Sequence, residues 1–369
     1  MQDKKVALVH DWLVSYRGGE KVLEALSELY PDAPIYTLFY NPKKIPAFLR
    51  NKQIIYPRRL NKFRWLRKLM LPFLPSQIES LEIRGFDLVI STSSCVAKGI
   101  ILDPQTKHLC YMHSPMRYIW DQRQNYFARF SKIPIVSTVL HFLLARLRVW
   151  DFISAQRVDV FLANSNFVAK RIQNFYRRDS FVVHPPVDVG KFSERRSIQT
   201  KRQDFYLAAV AFVPYKRFDL VISAFNKSGK KLVIAGDGPL REKLRSQAYQ
   251  NIRFVISPPD EELISLMQQA KAFIFPMVED FGIVGVEALA AGLPVIALKK
   301  GGVLDFIEEG RNGIYFLEQT PESLNDSVER FETITFDHEL IRQSAERFSK
   351  FEFHKKIRAE VLRLLSRET

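Results

Sequence analysis

The stretch VEDFGIVGVEALAAGLPVIAL, Val278 to Leu298, carries two glutamates, Glu279 and Glu287, around a short apolar segment that contains Gly282. It follows an apolar run, AFIFP, and ends in another, PVIAL, with small residues between them. A short apolar run, a helix and a second apolar run are typical of two parallel strands joined by a crossover helix. The stretch therefore predicts an α/β fold.

The same alternation covers both halves of the chain. Alternating strands and helices of this length imply parallel sheets with helices on both faces. We predict two doubly wound, Rossmann-like domains that face each other, with a ligand cleft beyond the carboxyl ends of their strands. The predicted strands are KVALVH, IYTLF, FDLVIS, KHLCYMH and VDVFLAN in the first half, and FYLAAV, KLVIAG, IRFVI, AFIFP, PVIAL and GIYF in the second.

The predicted connector between the halves contains Pro185 and Pro186. It divides the chain into an N-terminal domain of residues 1–187 and a C-terminal domain of residues 188–350. The remaining residues, 351–369, are predicted to form a helix that packs back toward the N-terminal domain.

The composition is that of a soluble globular protein, with 47% hydrophobic and 26% charged residues in 369. Neither a secretory signal nor a lipid-spanning run is recognisable. The two cysteines, Cys95 and Cys110, cannot form a disulfide framework and have no neighbouring metal-ligand pattern. We expect them to be buried in a protein of the reducing cytoplasm.

The net charge of +15 is concentrated in one region, because no acidic residue occurs between Asp32 and Glu79. Within it, RRLNKFRWLRKLMLPFLP interleaves cations with apolar residues, as in an amphipathic helix on an anionic membrane. A solvated basic face over a core helix is the alternative. Nucleic acid is not favoured, because no nucleic-acid-binding motif accompanies the charge. The candidate membrane residues are Arg58, Arg59, Lys62, Arg64, Trp65, Arg67 and Lys68.

The two glutamates suit a sugar nucleotide. Free backbone N–H groups at the start of the helix after Glu279 would attract a phosphate or sugar oxygen. Glu279 would then lie at the mouth of the cleft, and Glu287 would accept hydrogen bonds from the vicinal hydroxyls of a ribose. The alternative is that Glu279 only caps the helix and Glu287 is solvated.

The stretch resembles the Glu-x7-Glu motif of retaining glycosyltransferases of the GT-B fold, in family GT4, which includes bacterial mannosyltransferases. The similarity extends over nearly the whole chain and favours the branch that builds O-antigen and exopolysaccharide chains. The other matching segments are HDWLVSYRGGEKVLEAL, FDLVISTSSCVAKGI, YMHSPMRYIWD, ANSNFVAKRI, HPPVDVGKF, VPYKRFDLVISAFN, IAGDGPL and GGVLDFIEEGRNGIYF.

The resemblance assigns roles to residues of both halves. In the N-terminal, acceptor-side domain, Gly18 and Gly19 match the glycine loop that approaches the donor diphosphate, and His113 matches a histidine that faces the donor sugar. An ordinary tight turn and a core histidine are the alternatives. In the C-terminal, nucleotide-sugar-binding domain, the matches are Lys216 and Arg217 for the leaving diphosphate, Glu279 for the sugar hydroxyls, Glu287 for the ribose, Gly282 and Ile283 for N–H contacts, and Gly301 and Gly302 at the cleft border. For Lys216 and Arg217 the alternative is a solvated charge pair.

Two positions depart from the family pattern. Ala211 stands where a second diphosphate-binding arginine is expected, and loss of such a contact lowers the rate about 10²-fold or more. The segment VISPPD at Val255 lacks the usual glycine after the strand near the nucleobase. The first departure concerns catalytic power, and the second concerns the identity of the base.

The resemblance implies a metal-independent, retaining hexosyltransferase without a cofactor. The expected donor is GDP-mannose, with a UDP-sugar as the other choice, and the acceptor is a lipid-linked glycan at the inner face of the cell membrane. The alternative is an inactive sugar-nucleotide or glycan-binding subunit. Phosphorylase or epimerase chemistry is less favoured, because the Glu-x7-Glu and HSPMRY segments belong to neither. NAD is not expected, because GDG at Gly236 lacks the third glycine of a dinucleotide fingerprint.

Overall fold

The computed structural model describes residues 4–67, 69–121, 134–193 and 202–366, without the side chains of 134–136 and 193. It divides into two compact units. Unit 1 comprises Met1–Pro186 and Phe353–Thr369, and unit 2 comprises Val187–Glu352. The divisions predicted from the sequence lie after residues 187 and 350.

Unit 1 is built on a seven-stranded, fully parallel sheet in the order β3-β2-β1-β4-β5-β6-β7. The order reverses direction between β1 and β4, so the loops after these two strands flank a topological switch point. The strands are β1 Val6–His10, β2 Ile35–Thr37, β3 Ile54–Ile55, β4 Leu88–Ser93, β5 Lys107–Met112, β6 Val160–Ala163 and β7 Phe181–Val182.

Helices cover both faces of this sheet, because alternate residues of each strand point to opposite sides. Leu8 packs with Leu26 on one side, and Val9 packs with Ile78 on the other. The helices of unit 1 are α1 Gly18–Leu29, α2 Ala47–Arg50, α3 Arg58–Asn61, α4 Leu74–Glu79, α5 Pro134–Ala155 and α6 Asn166–Tyr176.

Unit 2 contains a six-stranded parallel sheet in the order β10-β9-β8-β11-β12-β13, with its switch point between β8 and β11. The strands are β8 Tyr206–Ala209, β9 Leu232–Gly236, β10 Ile252–Ile256, β11 Phe273–Phe275, β12 Val295–Leu298 and β13 Gly313–Phe316. The helices are α7 Gly190–Ser193, α8 Phe218–Ser228, α9 Arg241–Gln247, α10 Asp260–Gln269, α11 Ile283–Ala290, α12 Pro321–Glu332 and α13 His338–Ala345.

The last helix, α14 Lys350–Leu365, begins in unit 2 and continues into unit 1. Its apolar residues Phe353, Ile357 and Val361 are buried in the same cluster as Leu8 and Leu26. Its side chains therefore contribute to the core of unit 1.

The prediction of one amphipathic helix from Arg58 through the following basic residues is wrong. The chain there forms the four-residue α3, two short 3₁₀ turns, Arg64–Leu66 and Leu71–Phe73, and then α4. Prolines explain part of this break, because proline fits the first turn of a helix but not its interior, and Pro72 and Pro75 each lie in a first turn. Asn61 ends α3, where its side-chain oxygen accepts a hydrogen bond from the backbone N–H of Tyr40 (2.9 Å).

Candidate functional site

The switch point of unit 2 brings together two residues predicted to bind the donor. Lys216 lies in the loop after β8, and Glu279 lies in the loop after β11. The two strands are neighbours in the sheet, so their carboxyl-terminal loops meet at one edge.

Lys216 and Glu279 form an ion pair in which Lys216 Nζ donates to Glu279 Oε1. The side chains are 13% and 18% exposed, so water screens the pair less than it screens a surface pair. The pair places one positive and one negative group side by side, suited to a diphosphate oxygen and to a sugar hydroxyl respectively.

Arg217 adopts a left-handed backbone conformation (φ 55°) at the start of α8. Its guanidinium donates to Asp219 (3.2 Å) and to Gln319 Oε1 (2.9 Å). Gln319 in turn donates to the backbone oxygen of Pro276 (2.8 Å), just before the Glu279 loop. Gln319 was not predicted, and only its position shortly after β13 could have pointed to it. Arg217 is therefore paired with neighbouring side chains, as Lys216 is.

The helix after Glu279 starts as the sequence predicts. Gly282 precedes α11 with φ 98°, and a Cβ there would lie 2.7 Å from the buried ring of Phe275. Glycine is required on both counts. The N–H of Gly285 donates to the oxygen of Gly282 (2.9 Å), and the N–H groups of Ile283 and Val284 before it have no intrahelical acceptor and suit an anion. Glu287 lies on α11, partly buried.

Gly301 and Gly302 hold the Glu279 loop in place. The N–H of Gly302 donates to the backbone oxygen of Glu279 (2.9 Å). A Cβ on Gly301 would lie 2.6 Å from that same oxygen, and one on Gly302 would lie 2.3 Å from Phe281 Cα. Both glycines therefore serve close backbone packing beside Glu279, rather than only forming a turn.

Ala211 is partly buried in the loop after β8, and its oxygen accepts from the N–H of Val213 (3.0 Å). From residue 210 to residue 217 the chain reads VAFVPYKR, so Lys216 and Arg217 are the only basic residues of this loop. Both cations are paired with a carboxylate, Lys216 with Glu279 and Arg217 with Asp219.

The departure after β10 also has a structural counterpart. Ser257 has φ 48°, the left-handed conformation that favours glycine. Its N–H donates to the backbone oxygen of Gly236 (3.1 Å), and its hydroxyl donates to Asp237 (3.3 Å). A serine therefore occupies a glycine-like backbone position at this edge of the sheet.

In unit 1, the glycine loop and the histidine lie together. α1 begins at Gly18, and a Cβ on Gly19 would lie 3.5 Å from His113 Nε2. That nitrogen is buried and has no hydrogen-bond partner among the described residues. Burial, and then the neighbouring His10, lower the pKa of His113 to about 3. The imidazole is therefore neutral at pH 7 and can donate or accept one hydrogen bond per nitrogen.

Sequence reasoning missed two residues at the end of β1. His10 lies beside His113, with ring centroids 6.4 Å apart, and its Nδ1 is 2.6 Å from Thr92 Oγ1. The buried Asp11 carboxylate accepts from four backbone N–H groups, those of residues 94–97, at 2.6 to 2.9 Å. The sequence could have indicated both residues, because the polar pair His10 and Asp11 directly follows the apolar run VALV, whose strand ends at a switch point.

The basic segment, residues 58–75, lies on unit 1. Trp65 is 73% exposed, and no residue of the two 3₁₀ turns is buried. Arg58, Arg59, Lys62, Arg64 and Arg67 lie in this segment, and Lys68 lies outside the described residues. Leu74 in α4 is fully buried, and Leu60 and Leu71 pack against the same core cluster, so one side of the segment contacts the core while Trp65 is exposed.

The part of the chain that the structure describes contains neither a membrane-spanning helix nor a metal-binding cluster. No helix within residues 4–67, 69–121, 134–193 and 202–366 is long and apolar enough to cross a membrane. Over the same ranges, no three His, Cys, Asp or Glu side chains are grouped so that they could hold a metal ion. Cys95 and Cys110 are both buried and not disulfide-bonded.

Comparisons with known proteins define the class. Residues 191–350, most of unit 2 and less than half of the chain, match the family model "Glycosyl transferases group 1". The structure of Anabaena HepE in complex with UDP has a TM-score of 0.68 and 16% identity, covering 97% of this chain and 99% of that one. The predicted GT-B fold class is confirmed, and residues 191–350 carry the group 1 sequence pattern.

Two curated relatives are similar in sequence. An uncharacterised glycosyltransferase of Methanocaldococcus jannaschii is 32% identical over 151 residues, which make up 38% of this chain and 39% of that protein. The chain thus spans about two fifths of that relative's length. The GDP-Man:Man(3)GlcNAc(2)-PP-Dol alpha-1,2-mannosyltransferase of Xenopus laevis is 28% identical over a 430-residue alignment, covering 95% of this chain and 85% of that protein.

Proposed function

We propose that this protein is a glycosyltransferase that moves a hexose from a nucleotide sugar to a lipid-linked glycan, in the synthesis of a cell-surface polysaccharide. The observation that carries the proposal is the Lys216–Glu279 pair at the switch point of unit 2. It lies within the segment that matches group 1 glycosyl transferases. A cation and a carboxylate at the carboxyl ends of adjacent strands fit the two ends of a sugar diphosphate.

Each residue has a role in this proposal. Lys216 stabilises the charge that develops on the departing diphosphate, and the N–H groups of Gly282 and Ile283 add to it. Glu279 positions the sugar hydroxyls, and Glu287 accepts from the ribose. The neutral His113 donates a hydrogen bond to the donor sugar. The acceptor hydroxyl attacks from the face that the diphosphate leaves, so the anomeric configuration is retained, without a metal ion or a cofactor.

The preferred donor is GDP-mannose. The Xenopus laevis relative supports this choice, because that protein is a GDP-Man-dependent mannosyltransferase. The UDP bound to Anabaena HepE supports the alternative donor, a UDP-sugar. Ser257, in the glycine-like position, lies in the loop for which the resemblance expects the nucleobase.

The proposed location is the inner face of the cell membrane, where the protein is cytoplasmic and peripheral. A lipid-linked acceptor lies there, and the cations of residues 58–67 would be attracted by anionic headgroups. The same Xenopus relative is named for a dolichol-linked substrate, which supports a lipid-linked acceptor.

The test begins with donor binding to the full chain. Calorimetric titration with GDP, UDP, GDP-mannose and UDP-glucose should give affinity for one base only, and Glu287→Ala should weaken it. Transfer or donor hydrolysis should then be lost in Glu279→Ala and in His113→Ala, with circular dichroism unchanged. Full activity in both variants, or no binding of any nucleotide at millimolar concentration, would contradict the proposal.

Ala211 favours a second candidate, a sugar-nucleotide or glycan-binding subunit without turnover. The loop after β8 lacks the second diphosphate-binding arginine that the resemblance expects at position 211, and its two cations are each paired with a carboxylate. Ala211→Arg separates the two. A weakened enzyme should gain on the order of tenfold or more in rate from a restored charge-assisted contact. A binding subunit should bind donor and remain inactive in the same variant.

A further inference from the structure

The outer face of α5 is apolar and exposed. Val139, Phe142, Val149 and Ile153 are 54 to 59% exposed. Their spacing of three, seven and four residues places them along one side of the helix. We call this row, with Arg146, the α5 outer face. Leu144 and Leu147 on the opposite side are 5% and 4% exposed and belong to the core.

A second exposed apolar group lies beside this helix. Trp65, Leu69 and Phe73 are 73%, 69% and 66% exposed. They belong to the basic segment, whose Leu71–Phe73 turn packs next to α5. Leu71 and Leu140 both pack against the same core cluster. Two neighbouring elements of unit 1 therefore expose several large apolar side chains. Such a group differs from the single exposed apolar residues that are common on protein surfaces.

The charge around this surface has one sign. No acidic residue occurs between Asp32 and Glu79, and none occurs between Asp121 and Asp151. The single acidic residue of α5, Asp151, is fully buried and lies 2.8 Å from Lys98 Nζ. Arg146 extends over the Phe142 ring, 4.7 Å from its centroid, which places a cation at the level of the apolar row.

We infer that the α5 outer face, together with Trp65, Leu69 and Phe73, inserts into the interface of an anionic lipid bilayer. At such an interface, apolar side chains insert below the lipid headgroups while cations beside them contact the anionic headgroups. A second copy of this chain fits poorly, because two acid-free basic faces would repel each other. The inference rests on the membrane location proposed above, but not on sugar transfer.

The first experiment is flotation of the full chain with vesicles of phosphatidylglycerol and phosphatidylethanolamine. Phe142→Glu and Val149→Glu should each lower the partition coefficient at least tenfold. The matched controls are Tyr249→Glu and Leu317→Glu on unit 2, which are 67% and 71% exposed in the wild type and should bind like it. Vesicles of phosphatidylcholine alone should bind less of every protein, because the headgroup charge is absent.

The second experiment reports insertion directly. Val149→Cys can be labelled selectively with an environment-sensitive fluorophore, because Cys95 and Cys110 are buried. The label should shift to the blue on vesicle addition and be quenched by lipids with spin-labelled acyl chains. The same label at Tyr249→Cys should show neither change.

Three outcomes would overturn the inference. Binding to vesicles without any change at position 149 would mean that the basic segment docks alone. No binding of the wild-type protein would exclude the membrane as partner. A concentration-dependent dimer in sedimentation, lost in Phe142→Glu, would assign this face to a second copy. Vesicle binding by a protein that binds no nucleotide would leave the inference intact and contradict only the proposed transferase.

Discussion

Lys216 and Glu279 are paired across the switch point of unit 2, although they are 63 residues apart in the chain. The pair joins the loop after β8 to the loop after β11. Both residues are expected to bind the donor, and in this structure each contacts the other. A donor that binds as proposed would contact both members of this pair.

The first prediction concerns the pair itself. Glu279→Ala and Lys216→Ala should each lower the free energy of unfolding by about 1–2 kcal/mol, because each leaves a partly buried charge without its partner. The double variant should lose less than the sum, with a coupling of at least about 0.5 kcal/mol. Urea unfolding measures all three. The exposed pair Arg311–Glu308 is the control, and its cycle should give a smaller coupling. Strict additivity at 216 and 279 would contradict a real pair.

The second prediction tests the packing that positions Glu279. Gly302→Ala would place a Cβ 2.3 Å from Phe281 Cα, so backbone must move. We expect a loss of about 1–3 kcal/mol in the free energy of unfolding, as for overpacked sites, and a weaker donor affinity. Gly190→Ala is the matched control, because its nearest atom would be 3.8 Å away. Equal effects of the two substitutions would rule out the proposed close packing.

Most of the fold follows from the sequence pattern. Each of the eleven runs predicted as strands overlaps an observed strand, because each is a short apolar run bounded by turn residues. The prediction missed β3 and β7, two-residue strands at the sheet edges. Edge strands of this length have too little pattern to detect. The start of α11 was also predicted from the sequence, which has Gly282 just before the helix. The structure shows that only glycine fits there.

The roles assigned to the site residues stay predictions, and the contact between Lys216 and Glu279 was not among them. The strand pattern placed Glu279 at a strand end and the resemblance assigned Lys216, yet nothing local indicates that the two bind each other. The basic segment shows the opposite failure. Its alternation of cations and apolar residues suggested one helix, whereas Pro72 and Pro75 divide it. Local propensity overrode periodicity there.

The third prediction concerns the buried charge of unit 1. Lys98 and Asp151 are both fully buried and 2.8 Å apart, and Asp151 also accepts from Trp120 Nε1 (2.8 Å) and Tyr176 Oη (2.9 Å). Lys98→Met would leave the carboxylate without a cation and should cost about 3–5 kcal/mol of unfolding free energy. Lys227→Ala, from an exposed pair, should cost less than about 1 kcal/mol. Equal midpoints in urea for the two variants would contradict the prediction.

The last prediction is a pH dependence from His108. Burial, and then the charge of Lys98, lower the pKa of this imidazole from 6.5 to about 3. Between these values the unfolded chain binds a proton that the folded protein does not, so stability falls as the pH falls below 6.5. At pH 5 the loss from this residue is about 2 kcal/mol.

His108→Gln removes the titrating group while keeping a polar side chain beside Ser91, whose hydroxyl is 2.8 Å from His108 Nε2. Urea unfolding at pH 7 and pH 5 should therefore show a smaller pH effect in His108→Gln than in the wild type. His141→Gln, at an exposed position of α5, is the control for loss of one imidazole. An unchanged pH effect in His108→Gln would mean that His108 is protonated in the folded protein at pH 5.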